Sequence, residues 1–154
     1  MPNTYTQLYV QIVFAVQGRM NFIKEEFREE LQKYMTGIIS NKKQKLYAIY
    51  CMPDHTHIFL SMQPDKSVSD IVRDVKSNSS SFLNNNKLVN RYFNWQEGFG
   101  AFSYSKSQAP AVVEYILNQK EHHRKKTFKE EYLDFLQKFE IEYNEKYLFE
   151  FYDA

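Results

Sequence analysis

Two histidines, His55 and His57, stand one residue apart in a stretch typical of a β-strand. Thr56 is β-branched, and Ile, Phe and Leu follow at positions 58–60, a composition that strands favour. Successive side chains of a strand point to opposite faces, so the two imidazoles share one face. Paired imidazoles on a rigid strand can bind one cation. The plain alternative is two polar residues on the solvent-exposed face of a half-buried strand.

A second stretch, residues 112–123, has the composition and period of an α-helix. Tyr115, Gln119 and His122 lie four and then three residues apart, so they share one stripe of that helix. The stripe presents a hydroxyl, an amide oxygen and an imidazole. Together with His55 and His57, it supplies two nitrogens and one oxygen for a metal and a hydroxyl nucleophile one helical turn away.

These stretches resemble the single-tyrosine HUH transposases of bacterial insertion sequences and their domesticated relatives linked to repetitive extragenic palindromes. Three segments match in the family's order, namely Met-Pro-Asp-His-Thr-His at 52–57, Gln-Glu-Gly-Phe-Gly-Ala-Phe-Ser at 96–103 and Tyr-Ile-Leu-Asn-Gln-Lys-Glu-His-His at 115–123. The resemblance covers roughly residues 5–130. Thr56 departs from it, because the family usually has a bulky hydrophobic residue there. We expect the ligand geometry to survive and the packing behind the site to differ.

The resemblance implies that Tyr115 is the nucleophile and that His55, His57 and Gln119 bind a divalent metal. For two imidazoles and an amide with open positions we expect Mg²⁺ or Mn²⁺, with zinc as an alternative. The resemblance also implies a transposase that nicks and rejoins single-stranded DNA at hairpin-containing ends through a 5′-phosphotyrosine. Such enzymes work as homodimers, in which the tyrosine helix of one subunit can complete the site of the other. Whether the site forms in cis or in trans stays open at the level of sequence.

Five further residues are predicted DNA contacts: Gly98, Gly100, His122, His123 and Arg124. The glycines could let the backbone approach a ligand or simply form a turn. The basic end of the helix could bind phosphate or complement the helix dipole. For the two histidines we expect a structural role or a phosphate contact rather than metal ligation, and for Asp54 a place in the turn.

The composition is ordinary for a globular chain except for its 12 Tyr and 13 Phe. The length of 154 residues suits one domain over 1–154, with a core at about 5–130 and a C-terminal helix and tail at 128–154. The net charge of +1 excludes a global attraction for DNA. A single cysteine excludes an internal disulfide and a multi-cysteine zinc site. Neither a signal-like start nor a run of ~20 apolar residues occurs, so we expect a soluble, cytoplasmic, nucleoid-associated bacterial protein without membrane contact.

The periodicities predict the order β-α-β-β-α-β-α-α, which is an α+β, ferredoxin-like (RRM-like) antiparallel sheet. Helices cover one face, and a helix towards the C-terminus carries the nucleophile. The strands are expected at Tyr5–Phe14, Lys45–Met52, after Pro53 and at Ala101–Ser105, and the helices at Lys24–Ser40, from Val68 to beyond Phe82, at Ala109–Arg124 and at Phe128–Ile141. The aromatic, acidic tail could dock on the domain or on a partner.

Other functions compete with the transposase. One is an HUH nicking endonuclease, or a domesticated relative acting on repeated palindromes, which would use the same tyrosine and metal. Another is a non-catalytic module that binds single-stranded DNA by stacking bases on an aromatic sheet face. A structural metalloprotein is the remaining alternative.

Overall fold

A four-stranded antiparallel sheet forms the centre of the computed structural model, which describes residues 3–152. The strands lie in the order β2-β3-β1-β4, and every neighbouring pair is antiparallel. This is the ferredoxin-like arrangement that the order of elements predicted. The strands are β1 (Tyr9–Ala15), β2 (Lys45–Cys51), β3 (His55–Ser61) and β4 (Gly100–Tyr104).

Helices cover both faces of the sheet. The buried stripes of α1 and α2 pack against the face formed by the even-numbered residues of β1 and β3. On the opposite face, α3 packs on Phe59 and Ala48, and α5 stacks Phe135 on Phe102. The helices are α1 (Glu25–Asn41), α2 (Val68–Asn85), α3 (Ala109–Leu117), the single turn α4 (Gln119–His122) and α5 (Phe128–Lys138).

The β2–β3 hairpin holds the two histidines rigidly. Its turn at Pro53 and Asp54 is closed by a hydrogen bond from the Met52 amide to the His55 carbonyl, 2.8 Å long. Both turn residues also accept backbone hydrogen bonds, from Ile23 at 2.8 Å and Val16 at 2.9 Å. The predicted hairpin is confirmed, and its turn is fixed to two other parts of the chain.

The helix expected over Ala109–Arg124 is broken at Asn118, which separates α3 from α4. Asn118 has φ −100° and ψ 21°, outside helical geometry, and asparagine is a poor residue for a helix interior. The last helix also stops earlier than expected, at Lys138, because Glu140 adopts a positive φ of 53°. Helix α2 runs through the serine-rich segment 77–81 and ends at Asn85, as expected.

The tail docks on its own chain. The Phe149 ring is buried and lies 4.9 Å from the ring of Tyr132 on α5. Gln96 fixes the same segment through its side-chain amide, which donates to the Glu150 carbonyl at 2.8 Å and accepts from the Glu150 amide at 2.7 Å. Among residues 3–152, none of the helices has the length and apolar character needed to cross a membrane.

Candidate active site

His55 and His57 lie on the same face of β3, as the strand periodicity predicts. Their ring centroids are 5.1 Å apart, and both side chains are completely buried. The reading of these histidines as polar residues on a solvent-exposed face is therefore wrong. The cover comes from α3, α4 and α5, which lie over this face of the sheet.

Each imidazole is oriented by a polar partner at its Nδ1 atom. Asp54 Oδ1 lies 2.7 Å from Nδ1 of His55, and Gln11 Nε2 lies 2.9 Å from Nδ1 of His57. Both Nε2 atoms are consequently directed towards the same point above the strand. Asp54 lies in the turn, as expected, and also orients a ring. Gln11 was not predicted as a site residue, because its position opposite Phe59 depends on the β1–β3 register.

The segment around α4 brings Gln119 and His123 to these imidazoles. Gln119 Oε1 lies 3.4 Å from His55 Nε2 and 3.1 Å from His123 Nε2. Gln119 is completely buried. The structure therefore places His123 beside the predicted ligands, which adds this residue to the candidate ligand set.

Glu131, on α5, is a site residue that the sequence reasoning missed. Its Oε1 lies 3.0 Å from His57 Nε2, 3.1 Å from His123 Nε2 and 3.4 Å from His55 Nε2. A signal for it exists in the sequence. Phe128, Tyr132 and Phe135 form the apolar stripe of α5, and Glu131 places a carboxylate on that stripe.

Tyr115 stands at the edge of this cluster in the same chain. Its hydroxyl donates a hydrogen bond to Glu131 Oε2, which also accepts one from Gln119 Nε2 at 3.1 Å. The tyrosine ring lies 6.2 Å from the His57 ring and stacks on His122 at 4.4 Å. The break at Asn118 thus leaves Tyr115 and Gln119 in contact with one carboxylate.

The electrostatics of the site follow from burial and from opposite charges. Burial alone would lower the pKa of His55, but the carboxylates of Asp54 and Glu131 raise it to about 9. Burial lowers the pKa of His57. Burial would raise the pKa of Glu131, yet the surrounding imidazoles hold it well below its usual range. Burial, and next the Glu131 charge, raise the pKa of Tyr115, so its hydroxyl is neutral.

Comparison with known proteins gives the family. Residues 4–119 match the IS200-like transposase family. The chain belongs to this family. It is 22% identical over 118 residues to the ISDra2 transposase TnpA of Deinococcus radiodurans, covering 73% of this chain and 84% of the relative.

Solved structures show the same fold as this IS200-like transposase. A candidate transposase from Deinococcus radiodurans R1 superimposes with a TM-score of 0.61 and 20% identity, covering 76% of this chain and 94% of that one. A REP-associated tyrosine transposase bound to a REP hairpin also gives a TM-score of 0.61, with 14% identity and coverage of 79% and 72%.

The side chains of the candidate site fit a divalent cation. One ligand atom from each of His55, His57, His123 and Glu131 lies within 4.8 Å of all the others, and Gln119 Oε1 lies beside them. The sequence predicted two nitrogens and one amide oxygen. The structure supplies a third imidazole and a carboxylate in addition. Imidazole-rich sets with carboxylate oxygen suit Mn²⁺ and Zn²⁺ better than Mg²⁺, which prefers oxygen ligands.

Two cavities flank Tyr115 and Glu131. One, of about 550 Å³, is lined by Gln11, Tyr104 and Phe135 as well as by these two residues. The other, of about 430 Å³, lies on the side of α4. Lysines border both, Lys126 and Lys138 at the first, and Lys125 and Lys126 at the second. Tyr115 therefore stands between two cavities with lysine side chains at their edges, of which Lys126 is paired with Asp134.

The predicted DNA contacts lie in two different environments. His122 and Arg124 are exposed near the second cavity, and His123 is partly buried. Gly98 is exposed with a φ of +85°, in a loop held by Lys76 through a 2.6 Å hydrogen bond to its carbonyl. Gly100 is buried, and a Cβ there would lie 2.8 Å from Tyr132. Packing against Tyr132 therefore accounts for glycine at position 100 without a contact to DNA.

Proposed function

We propose that this IS200-like transposase nicks and rejoins single-stranded DNA at hairpin-containing ends, with Tyr115 as nucleophile and a divalent cation at the histidine cluster. One observation carries the proposal: the hydroxyl of Tyr115 lies at the edge of a buried cluster of metal-binding side chains within one chain. A hydroxyl next to a cation site is the arrangement that phosphoryl transfer to a tyrosine requires.

In the proposed reaction, the Tyr115 oxygen attacks the scissile phosphorus, its hydroxyl proton passes to solvent, and the bond to the 3′ oxygen breaks. The products are a 5′-phosphotyrosine and a free 3′ hydroxyl, and solvent protonates the departing oxygen. The covalent bond keeps the energy of the phosphodiester, so the same residues can rejoin a strand by the reverse reaction. Hydrolysis by water would not conserve that energy.

His55, His57 and Gln119 are the proposed ligands, as the resemblance implies, and His123 lies beside them. Asp54 and Gln11 hold the two strand imidazoles in orientation. When bound, Mn²⁺ or Mg²⁺, or alternatively Zn²⁺, polarises the scissile phosphate and offsets the charge that develops on it.

The proposed substrate is single-stranded DNA next to a hairpin. The solved REP-associated relative holds a REP hairpin, and this chain has lysines beside both cavities at Tyr115. Lysine side chains can neutralise the phosphates of a strand that passes the nucleophile. His122, Arg124 and Gly98 are retained as proposed DNA contacts, because their positions are exposed.

The alternatives are separated by particular features. A nicking endonuclease, including one that acts on repeated palindromes, would use the same residues, and only a rejoining assay distinguishes it. A base-stacking module would need an open sheet face, but α3 and α5 cover the face that carries His57 and Phe59.

The site residues all lie in one chain, so the proposal does not depend on the homodimer that the resemblance implies. A cytoplasmic location near the nucleoid is part of the same proposal.

The test is a covalent adduct assay. Hairpin oligonucleotides taken from DNA flanking the gene are incubated with protein and Mn²⁺ or Mg²⁺, and the products are separated on a denaturing protein gel. We expect a metal-dependent protein–DNA species that is lost in Tyr115→Phe and in His57→Ala. Tyr143→Phe serves as control, because this exposed tyrosine lies in the tail. DNA binding without an adduct in the wild-type protein would contradict strand transfer.

A further inference from the structure

The buried carboxylate of Glu131 lies beyond residues 4–119, which carry the family match. Only 3% of the surface of Glu131 is exposed. Burial of a carboxylate is costly unless charged or polar groups surround it. At this position three imidazoles, one amide and one hydroxyl do so. Such a convergence on one acid indicates a functional role.

The two oxygens of Glu131 have different neighbours. Oε1 faces the Nε2 atoms of the three histidines, at 3.0 to 3.4 Å. Oε2 accepts hydrogen bonds from the Tyr115 hydroxyl and from Gln119 Nε2. The carboxylate therefore lies between the candidate ligands and the candidate nucleophile and contacts both.

Helix α5 presents this carboxylate on a rigid support. Thr127 and Glu130 form a capping box at its start. Phe128 stacks on the His55 ring at 3.9 Å, and Phe135 stacks on Phe102 of β4 at 5.0 Å. Glu131 lies between these two anchored rings, so its distance to the strand histidines is fixed by packing on both sides.

We propose that Glu131 has two functions in this site, as an additional metal ligand through Oε1 and as the positioning residue of the Tyr115 hydroxyl through Oε2. The proposal rests on the proposed function and goes beyond it, because it assigns a site residue from α5. Because one oxygen faces the metal site and the other holds the tyrosine hydroxyl, Glu131 joins the occupancy of the metal site to the placement of the nucleophile. It also supplies a negative charge that two neutral imidazoles and an amide lack.

Metal affinity tests the ligand function without any DNA. The Kd for Mn²⁺ is measured by calorimetry on the wild-type chain, Glu131→Gln and Glu130→Gln. Glu130 is an exposed neighbour on the same helix, and glutamine preserves its capping role. We expect Glu131→Gln to weaken Mn²⁺ binding by about tenfold or more and to change the visible spectrum of bound Co²⁺. Glu130→Gln should do neither.

Glu131→Asp separates the two functions and keeps the test valid if the glutamine variant folds poorly. Aspartate retains the charge but is one methylene shorter, so its carboxylate withdraws from Tyr115. We expect a smaller loss of Mn²⁺ affinity than in Glu131→Gln. At saturating Mn²⁺ the single-turnover rate of adduct formation should fall about 100-fold with the Kd for the hairpin unchanged. Circular dichroism confirms that each variant is folded.

The outcomes distinguish the two proposals. Wild-type affinity for Mn²⁺ in folded Glu131→Gln would overturn the ligand function, and a wild-type adduct rate in Glu131→Asp would overturn the positioning function. Both results leave the transposase proposal intact. Absence of an adduct in the wild-type protein would instead contradict the proposed strand transfer. The Mn²⁺ titrations would still decide whether Glu131 is a metal ligand.

Discussion

At the scale of single residues, the chemistry depends on how the imidazoles are oriented. Gln11 is nearly completely buried, and its amide contacts His57 Nδ1 through Nε2 and the Tyr104 hydroxyl through Oε1. A ligand at His57 Nε2 requires a proton on Nδ1, and so an acceptor on Gln11. The Tyr104 hydroxyl can donate or accept, so the Gln11 amide can turn through about 180° and serve either tautomer.

Replacement of Gln11 by methionine should therefore weaken metal binding without removing a ligand. We expect Gln11→Met to raise the Kd for Mn²⁺ by about 10- to 100-fold, the range seen when the partner of a metal-bound histidine is lost. Calorimetry measures the change, and Gln7→Met, at an exposed position before β1, is the matched control. An unchanged Kd would show that His57 is oriented by packing alone.

Thr56 lies between the two histidines, where the sequence resemblance led us to expect a bulky hydrophobic residue. Its hydroxyl is buried beside the Cys51 thiol, and within residues 3–152 it has no hydrogen bond to nitrogen or oxygen. Thr56→Val should raise the free energy of unfolding by about 1 kcal/mol, because a buried hydroxyl whose polar neighbour is only a weakly bonding thiol is replaced by a methyl group of the same shape. Urea denaturation measures this. Thr36→Val is the control. It should lower the free energy of unfolding, since Thr36 donates a hydrogen bond to the Gln32 carbonyl at 2.7 Å. A loss of stability in Thr56→Val would contradict the prediction.

At the scale of elements, local patterns predicted what local geometry controls. The alternation of β3 placed His55 and His57 on one face, and the hairpin turn was recognised from Pro53 and Asp54. The Tyr115–Gln119 spacing predicted that the two side chains lie together. Both contact Glu131 Oε2, even though Asn118 breaks the helix between them. Glu131 could not be assigned in this way, because its partners lie up to 76 residues away along the chain, at position 55.

The tail is a second element whose role depends on distant contacts. Gln96 joins the loop before β4 to the tail, with two hydrogen bonds to the Glu150 backbone and a third, of 3.0 Å, to the Val16 carbonyl. The tail in turn packs Phe149 on Tyr132 of α5. The motif residue Gln96 thus supports the helix that carries Glu131.

Gln96→Leu should release the tail and loosen α5. We expect a loss of about 2 kcal/mol in the free energy of unfolding, because three hydrogen bonds are lost and the buried carbonyl of Val16 is left without that donor. Amides of residues 148–152 should exchange faster with deuterium. Gln137→Leu, at an exposed position on α5, is the control. Unchanged exchange in the tail would show that the aromatic contacts hold it without Gln96.

At the scale of the whole molecule, the enclosed sheet changes how a strand of DNA could be bound. The aromatic face that the sequence offered for base stacking is covered by α3 and α5. Access to Tyr115, the proposed nucleophile, is left to the two cavities that flank it. An extended strand that runs from one cavity to the other would place one phosphate at Tyr115. This arrangement needs only a local set of lysines, in keeping with a net charge of +1.

The position of Tyr115 also predicts that the site works in cis. Its hydroxyl contacts Glu131, and its ring lies beside His57 of the same chain. Tyr115→Phe and His57→Ala chains, co-expressed with different tags and purified together, therefore should not complement each other. In a site completed in trans, the Tyr115 of the His57→Ala chain would meet the intact histidines of the other chain and form an adduct. In a cis site each chain lacks one required group. We expect no adduct above that of either variant alone on the denaturing gel, whereas an adduct on the His57→Ala chain would establish exchange of the tyrosine helix between subunits.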